Sequence, residues 1–455
     1  MLMELLEKMP GKRPNIFCII LETLFIIFLP AQAGQSGGSQ ENNHFSWHTG
    51  NIRFSLSGAY RLRGEVQDNF NVRTYGTGTN EDYLISRLRL EMDFKWTDKF
   101  LLHAQLQDSR ALGLSFSDKD FAGGNNPYHD PLEINQLYFE YHPFRIIGLK
   151  VGRQQITYGD RRVFGPGDWG NTGRYVWDAV KVEIDGKSFS SHWLVGRFVL
   201  HDPDRWPNPR AGGPTAYASY NSIKNLPFHL DLFYIYKHDS RGLTKGEKGT
   251  GNLSSHSAGF RIQGQGGRWD YSAIYAIQFG HWSSDVIRAY GLTFSLGYTF
   301  DTFWKPHLVA QYIFGSGDKD PTDGIHQTFD GLFSGADTVL YSWMALVFWQ
   351  NLQQFRLDLI LTPAKTASLR AEYHFLELDE AKDAWYFPGK AVRRDITGSS
   401  GRRLGHEIDL TFSKRISRWL EVMSGICFFS PGKYVKNTGQ SSPARWYFLE
   451  TTFHF

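Results

Sequence analysis

The chain has 455 residues, with 49 Lys+Arg against 46 Asp+Glu; a net charge of +3 excludes a global attraction to nucleic acid. Aromatic residues reach 16% (Phe 35, Tyr 22, Trp 14) and glycines number 46, yet apolar residues total only 41% and mean hydropathy is −0.38. That profile argues against two or three soluble enzyme domains and fits a membrane β-barrel, in which alternating faces dilute hydropathy and aromatics crowd the interfaces.

Lys8, Lys12 and Arg13 precede the apolar run Ile16 to Leu29, which Glu22 and Thr23 interrupt. Pro30 and the small-x-small triplet Ala31-Gln32-Ala33 follow. A spanning helix needs about 20 residues, and this run is shorter. Residues 1–33 are therefore read as a secretory signal, with a retained anchor helix as the other reading. Residues 34–50, rich in Gly, Ser and Asn, are expected to be mobile. Cleavage after Ala33 would remove Cys18, and the one remaining thiol, Cys427, excludes an internal disulfide and a cysteine-rich metal cluster.

Beyond residue 51 the period is two. In Leu84 to Lys95, Leu84, Leu88, Leu90, Met92 and Phe94 share one face, and Arg87, Arg89, Glu91, Asp93 and Lys95 the other. Such a segment is a strand between two different solvents. The same split sets Phe54, Leu56, Tyr60 and Leu62 against Arg61, Arg63 and Glu65, and later Leu357 and Leu359 against Arg356 and Asp358. Leu369, Ala371 and Tyr373 oppose Arg370, Glu372 and His374, and Ile408 and Leu410 oppose Glu407 and Asp409. A soluble antiparallel sheet also alternates. Long segments, several charges on the polar face, and aromatics such as Phe139, Tyr141, Tyr234, Trp343, Phe348 and Trp349 near segment ends favour the membrane barrel.

The pattern predicts an all-β, antiparallel up-and-down barrel over residues 51–455 with about 18 strands, 16 being the alternative. Expected centres are Ser57, Leu90, Gln105, Leu137, Val151, Val182, Leu194, Ala218, Leu232, Phe260, Ile274, Phe294, Ala310, Leu357, Ala371, Leu410, Ser424 and Leu449. Short turns are expected at 95–99, 185–187, 266–268 and 362–365, on the periplasmic side. Long external or inward-folded connections are expected at 113–131, 158–176, 202–214, 240–254, 315–351 and 378–403. The final strand, with Tyr447, Leu449, Thr451, Phe453 and Phe455 on one face, resembles the signal that outer-membrane proteins present to barrel-insertion machinery.

Gly165, Gly167 and Gly170 spell G-x-G-x-x-G, the written form of a dinucleotide turn. Pro166 lies inside it and no helical period follows, so a nucleotide site is unsupported and a compact loop is favoured. Neither G-x-S-x-G, H-E-x-x-H nor a P-loop occurs, and the histidines show no helical ligand pair. Asp318 to Gly324 resembles an acidic cation loop without its distal Glu; a surface turn is favoured, with loop Ca²⁺ as the other reading. No other cofactor is implied. Inferred lumen cations are Arg61, Arg63, Arg87, Arg89, Lys181, Arg261, Arg356 and Arg370, interleaved with carboxylates. Arginine rings select anions, whereas cross-strand pairing would simply stiffen the wall.

The stretch GRQQITYGDRRVFGPGDWGNTGR followed by WDAVKVEID, with SRLRLEMDFKW, LQDSRA and LRAEYHFLELDE, resembles the alginate export family of outer-membrane barrels. The resemblance implies an 18-stranded pore that passes an anionic polyuronate through an arginine-lined lumen gated by loops. It places family functional residues on Arg153, Arg161, Arg162, Trp177, Asp178 and Arg110. The lumen inferred from the residues is mixed in sign, which leaves a generic porin of another substrate open. The expectation is a passive outer-membrane channel whose partners are an anionic poly- or oligosaccharide and outer-membrane lipid, with no nucleic acid or nucleotide. A barrel-scaffold enzyme or receptor is the alternative.

Overall fold

The computed structural model describes residues 45–121, 123–334, 338–386 and 390–455. The segment read as a secretory signal, and residues 34–44 after it, lie outside the described residues. Strands follow in chain order: β1 (Phe45–Thr49), β2 (Ile52–Asp68), β3 (Glu81–Trp96), β4 (Phe100–Leu112), β5 (Asp130–Phe144), β6 (Ile147–Gln155), β7 (Val176–Asp185) and β8 (Phe189–Phe198). Then come β9 (Thr215–Ile223), β10 (His229–Lys245), β11 (Thr250–Gly266), β12 (Trp269–Trp282), β13 (Asp285–Thr299), β14 (His307–Gly315), β15 (Ile325–His326) and β16 (Leu352–Ala364). The last are β17 (Ala367–Glu377), β18 (Ala384–Tyr386), β19 (Ala391–Arg394), β20 (Arg403–Arg415), β21 (Leu420–Pro431) and β22 (Ala444–His454).

Each long strand pairs antiparallel with the next, and β22 pairs with β2, so the sheet closes. The result is an 18-stranded barrel; β1 extends the seam, β15 is a two-residue bridge strand, and β18–β19 form a separate hairpin. Every expected strand centre falls inside a barrel strand. Closure pairs the strands around the ring, which is what a hydrocarbon environment demands of their backbone groups. Outward positions carry the exposed apolar side chains, among them Phe94, Leu102, Phe139, Val180, Phe294 and Leu410. Phe100 stacks on Tyr141 (4.8 Å) near the short-turn end, as an interfacial girdle would.

Three expectations need correction. Part of the segment expected to be mobile, Phe45–Thr49, is a strand, because the lower edge of β2 offers it a free hydrogen-bonding ladder. The expected loop 240–254 shrinks to a turn at 246–249, since β10 and β11 continue as a tall hairpin. Trp343, Phe348 and Trp349, read as girdle aromatics, are buried inside the barrel.

That burial defines the interior. The connections 156–175 and 316–351 both fold inward and meet through a parallel bridge between Phe164 and Phe333. Gly165 N–H donates to the Phe333 carbonyl (3.1 Å) and Phe333 N–H to the Val163 carbonyl (3.2 Å). Phe164, Phe329, Phe333, Trp343, Phe348 and Trp349 are buried there against inward Ile235, Ile274, Ala276, Ile287, Ala289 and Ile313. A Cβ at Gly291 would lie 2.8 Å from the Phe329 ring, so the wall is bare where the aromatics seat. Each fully buried ring or branched chain contributes about 1.5–3 kcal/mol, enough in sum to hold two long connections inside a lumen. The barrel thus has an apolar half-wall for its own loops and a charged half-wall opposite.

Candidate functional site: the arginine wall

The charged half-wall is built by alternation. Arg61, Arg63 and Glu65 point inward from β2, Arg87, Arg89, Glu91 and Asp93 from β3, and Glu450 from β22. The inward loop lies directly over it. Arg61 Nη1 donates to the Asp168 carbonyl (3.1 Å) and its Nη2 to the Gly170 carbonyl (3.1 Å). Arg87 Nη1 reaches the same two carbonyls at 2.9 and 3.1 Å. Arg89 pairs with the Asp168 carboxylate (3.3 Å), whose pKa is held below the ordinary value: Arg89 and Arg87 outweigh the cost of burial. Arg63 donates to the Trp169 carbonyl (2.9 Å) and lies 3.9 Å above that indole ring.

The G-x-G-x-x-G segment is therefore the reverse of a phosphate cradle. A nucleotide turn aims N–H groups at an anion; here the carbonyls of Asp168, Trp169 and Gly170 face cations. Gly167, at φ +69°, supplies the left-handed turn that this requires. Asn171 locks the far side. Its Nδ2 donates to the carbonyls of Ser86 (3.0 Å), Arg110 (3.0 Å) and Tyr128 (2.8 Å), which ties the loop to the barrel. No sequence motif singled out Asn171; its place directly after the glycines was the available cue.

Two cavities flank this layer. The outer one, about 790 Å³, is lined by Arg63, Arg73, Trp169, Arg174, Trp343 and Lys390, among others. The one at the short-turn end, about 420 Å³, is lined by Lys365, Arg415, Glu421 and Glu450 with Ser and Thr side chains. Arg63 borders the first and Glu450 the second, and the two pair at 3.1 Å. At that point the partition between the cavities is one ion pair thick.

Other inferred lumen cations are inward but paired. Arg261 pairs with Asp231 (3.1 Å) and Lys181 with Glu183 (2.5 Å). Arg356 bonds Asp358 (2.6 Å) and Glu372 (2.8 Å); Arg370 bonds Asp358 (3.0 Å) and Glu372 (2.6 Å). Arg162 is buried in the inward loop, on Asp160 and the Leu340 carbonyl, and Arg161 is exposed there at φ +74°. Trp177 faces inward, fully buried under Phe333. Asp318 lies in a hydrogen-bonded turn, its carboxylate accepting from Asp320 N–H (3.2 Å).

Arg110, Arg153 and Asp178 are not in the lumen. Strand β4 turns His103, Gln105, Gln107 and Ser109 inward, so Arg110 faces out and pairs with Asp108 (2.9 Å). On β6 the inward set is Lys150, Gly152 and Gln154, which puts Arg153 beside Val151 on the outer face. Its partners there are Glu133 (2.7 Å) and Asp178 (2.9 Å), directly opposite on β7.

Fold and interior together define a porin-like outer-membrane β-barrel whose lumen is occupied by its own loops. The sequence profile of a family described as "Alginate export" matches residues 52–448, and the chain belongs to that family. Solved structures with the same fold include Pseudomonas aeruginosa OpdQ, at 11% identity and TM-score 0.59, with 88% of this chain and 98% of that chain covered. Acinetobacter baumannii OccAB2 matches at 10% identity and TM-score 0.58, covering 88% and 98%. The outer membrane protein OprD from Pseudomonas aeruginosa matches at 10% and 0.57, covering 88% and 93%. A comparison with curated protein sequences finds no match.

Proposed function

We propose that the protein is a passive outer-membrane channel for an anionic polysaccharide, alginate or its oligouronates, and not an enzyme. The 168–170 segment is its gate. One observation carries this reading: Arg61, Arg63 and Arg87 donate to three consecutive backbone carbonyls of the inward loop. A guanidinium fork matches a carboxylate better than a carbonyl, and charge-assisted bonds are roughly twice as strong as neutral ones. A uronate chain entering the partition competes for the same donors with better ligands. The loop carbonyls hold the wall's hydrogen-bonding capacity in reserve until then.

Reversal potentials in planar bilayers test this, measured with and without oligouronates. Anion preference and concentration-dependent block by uronate oligomers are expected. Cation preference, or block by neutral oligomers of equal length to the same extent, would sink the assignment. Turnover of an ester or lipid substrate by the pure protein would favour the enzyme reading instead. The lower lumen favours a second, generic-porin reading on one point: Lys150 and Lys181 are matched there by Glu140 (3.0 Å) and Glu183 (2.5 Å).

A further inference from the structure

A second cluster sits on the lumen wall where β17 and β20 adjoin, apart from the arginines that hold the inward loop. Glu372 and His374 point inward from β17, and Glu407 and Asp409 from β20, in cross-strand register Glu372–Asp409 and His374–Glu407. All four side chains are buried, His374, Glu407 and Asp409 completely. His374 Nε2 lies 3.3 Å from Glu372 Oε2 and 3.0 Å from Asp409 Oδ2.

The remaining contacts leave one face of the cluster open. Arg356 and Arg370 both engage Glu372 through Oε1. Backbone N–H groups of the inward connection occupy one oxygen each of the other two carboxylates: Met344 on Glu407 Oε1 (2.9 Å) and Trp343 on Asp409 Oδ2 (3.3 Å). Glu407 Oε2 and Asp409 Oδ1 are buried without a good hydrogen-bond partner, and His374 Nε2 and Glu372 Oε2 meet only one another and Asp409 Oδ2, in poor hydrogen-bond geometry. Buried polar atoms are nearly always satisfied, so three carboxylates converging on one imidazole with oxygens left over point to a shared cation between them. The two arginines do not supply it, because Asp358 and Glu372 already balance them.

We propose that Glu372, His374 and Asp409 bind a divalent transition-metal ion of the Zn²⁺ class. One borderline imidazole nitrogen with two carboxylate oxygens is a donor set that such an ion accepts. Bonds of about 2.0–2.2 Å set tetrahedral ligand atoms roughly 3.3–3.5 Å apart; the donor separations of 3.3 and 3.0 Å need only small adjustment. Glu407 Oε2 is a further donor beside them. Outer contacts are in place on Glu372, where Arg356 and Arg370 fix the oxygen that faces away from the ion, while Trp343 N–H steadies Asp409 through Oδ2, the oxygen nearest His374. Ligation through Nε2 leaves the ring proton on Nδ1, and Gln354, whose Nε2 is 2.8 Å away, must turn its unpartnered Oε1 towards it. That rotation gives up the Gln354 bond to the Tyr341 carbonyl. The ion would cross-link β17 to β20 and fix Asp409, the carboxylate that holds Trp343 N–H of the inward connection.

The test uses the full chain, purified in detergent, stripped with a strong chelator and titrated with ZnCl₂ against a chromophoric competitor. One equivalent is expected to bind, with an X-ray absorption shell of N/O donors at about 2.0–2.2 Å. His374→Ala and Asp409→Asn are expected to weaken binding at least about tenfold, while the exposed His281→Ala leaves it unchanged. Heat-modifiable migration in gels verifies that each variant is a closed barrel. If stripped wild-type protein takes up no Zn²⁺, or takes up as much as folded His374→Ala and Asp409→Asn, the site does not exist.

Discussion

Arg63 holds Trp169 twice: its guanidinium lies 3.9 Å above the indole, and Nη1 donates to the Trp169 carbonyl at 2.9 Å. The same ring meets Trp343, Trp446 and Phe448 edge-on at 5.0–5.7 Å. One residue therefore ties the inward loop to the second inward connection and to the adjoining strands β2 and β22.

Trp169→Ala removes that junction. A cation–π contact of this kind contributes about 1–2 kcal/mol, so the ratio of closed to open channel should fall roughly tenfold or more. Single-channel recordings should show longer and more frequent openings, and gel migration should stay that of an intact barrel. An unchanged open probability would mean that the loop is not held at this point.

Selectivity separates inward from outward arginines. Arg87→Glu with Arg89→Glu should shift the reversal potential towards cations, since lumen charge tunes permeation without disturbing insertion. Arg153→Glu should leave selectivity unchanged, because its side chain shares the outward parity of Val151 and is already paired with Glu133 and Asp178. Equal shifts from both changes would contradict the strand parity.

Asn171→Ala should loosen the loop from the barrel. It strips a donor from the buried Tyr128 carbonyl and from the part-buried carbonyls of Ser86 and Arg110, and leaving a buried group unpaired costs about 1–3 kcal/mol. Protease cleavage within 165–173 should accelerate strongly while the barrel core keeps its denaturation midpoint. Protection equal to wild type would assign the anchoring to the arginines alone.

The outer connections carry a pH dependence. Asp318 has its pKa raised from 3.8 to about 7, first by burial and then by the neighbouring Asp383. A raised carboxyl stabilises the folded arrangement at pH below its ordinary value, and that contribution is lost as pH rises through about 7. Hydrogen exchange in 316–334 should thus quicken between pH 5 and 8, corrected for intrinsic exchange. Asp318→Asn should flatten the profile and slow exchange at pH 8. A profile with the same slope in the variant would remove Asp318 as its source.

Period-two alternation made the barrel legible, because lipid on one side and a polar lumen on the other force the same pattern onto each strand. It located the strands but not their inner face where the lumen is not polar. Ile274 and Ala276 on β12, and Ile287 and Ala289 on β13, are apolar inward residues on strands whose outer faces are apolar too. That doubling was the available sign that something apolar docks inside, and the aromatics of 343–349 were its other half. Arg153 shows the opposite failure. Parity alone groups it with outward Val151, but the family motif assigned it to the pore. The cluster at His374 was illegible for a third reason: its members come from two strands, and cross-strand register depends on hairpin geometry that spacing within one strand does not encode.

The seam has its own consequence. Strand β22 occupies the edge of β2 from Ala59 upward and β1 occupies it up to Leu56. Between them Gly58 and Phe455 exchange two backbone bonds, at 2.8 and 3.0 Å. A β1–β2 hairpin can form before the ring closes, and it then blocks the lower part of the edge against foreign strands. The last strand arrives at an edge with a physical end stop. It cannot slide downward past Gly58 without evicting β1, and a slip of one residue would turn Trp446 and Phe448 towards lipid. The short first strand thus measures the length of the last one and selects the single alignment in which the barrel can shut.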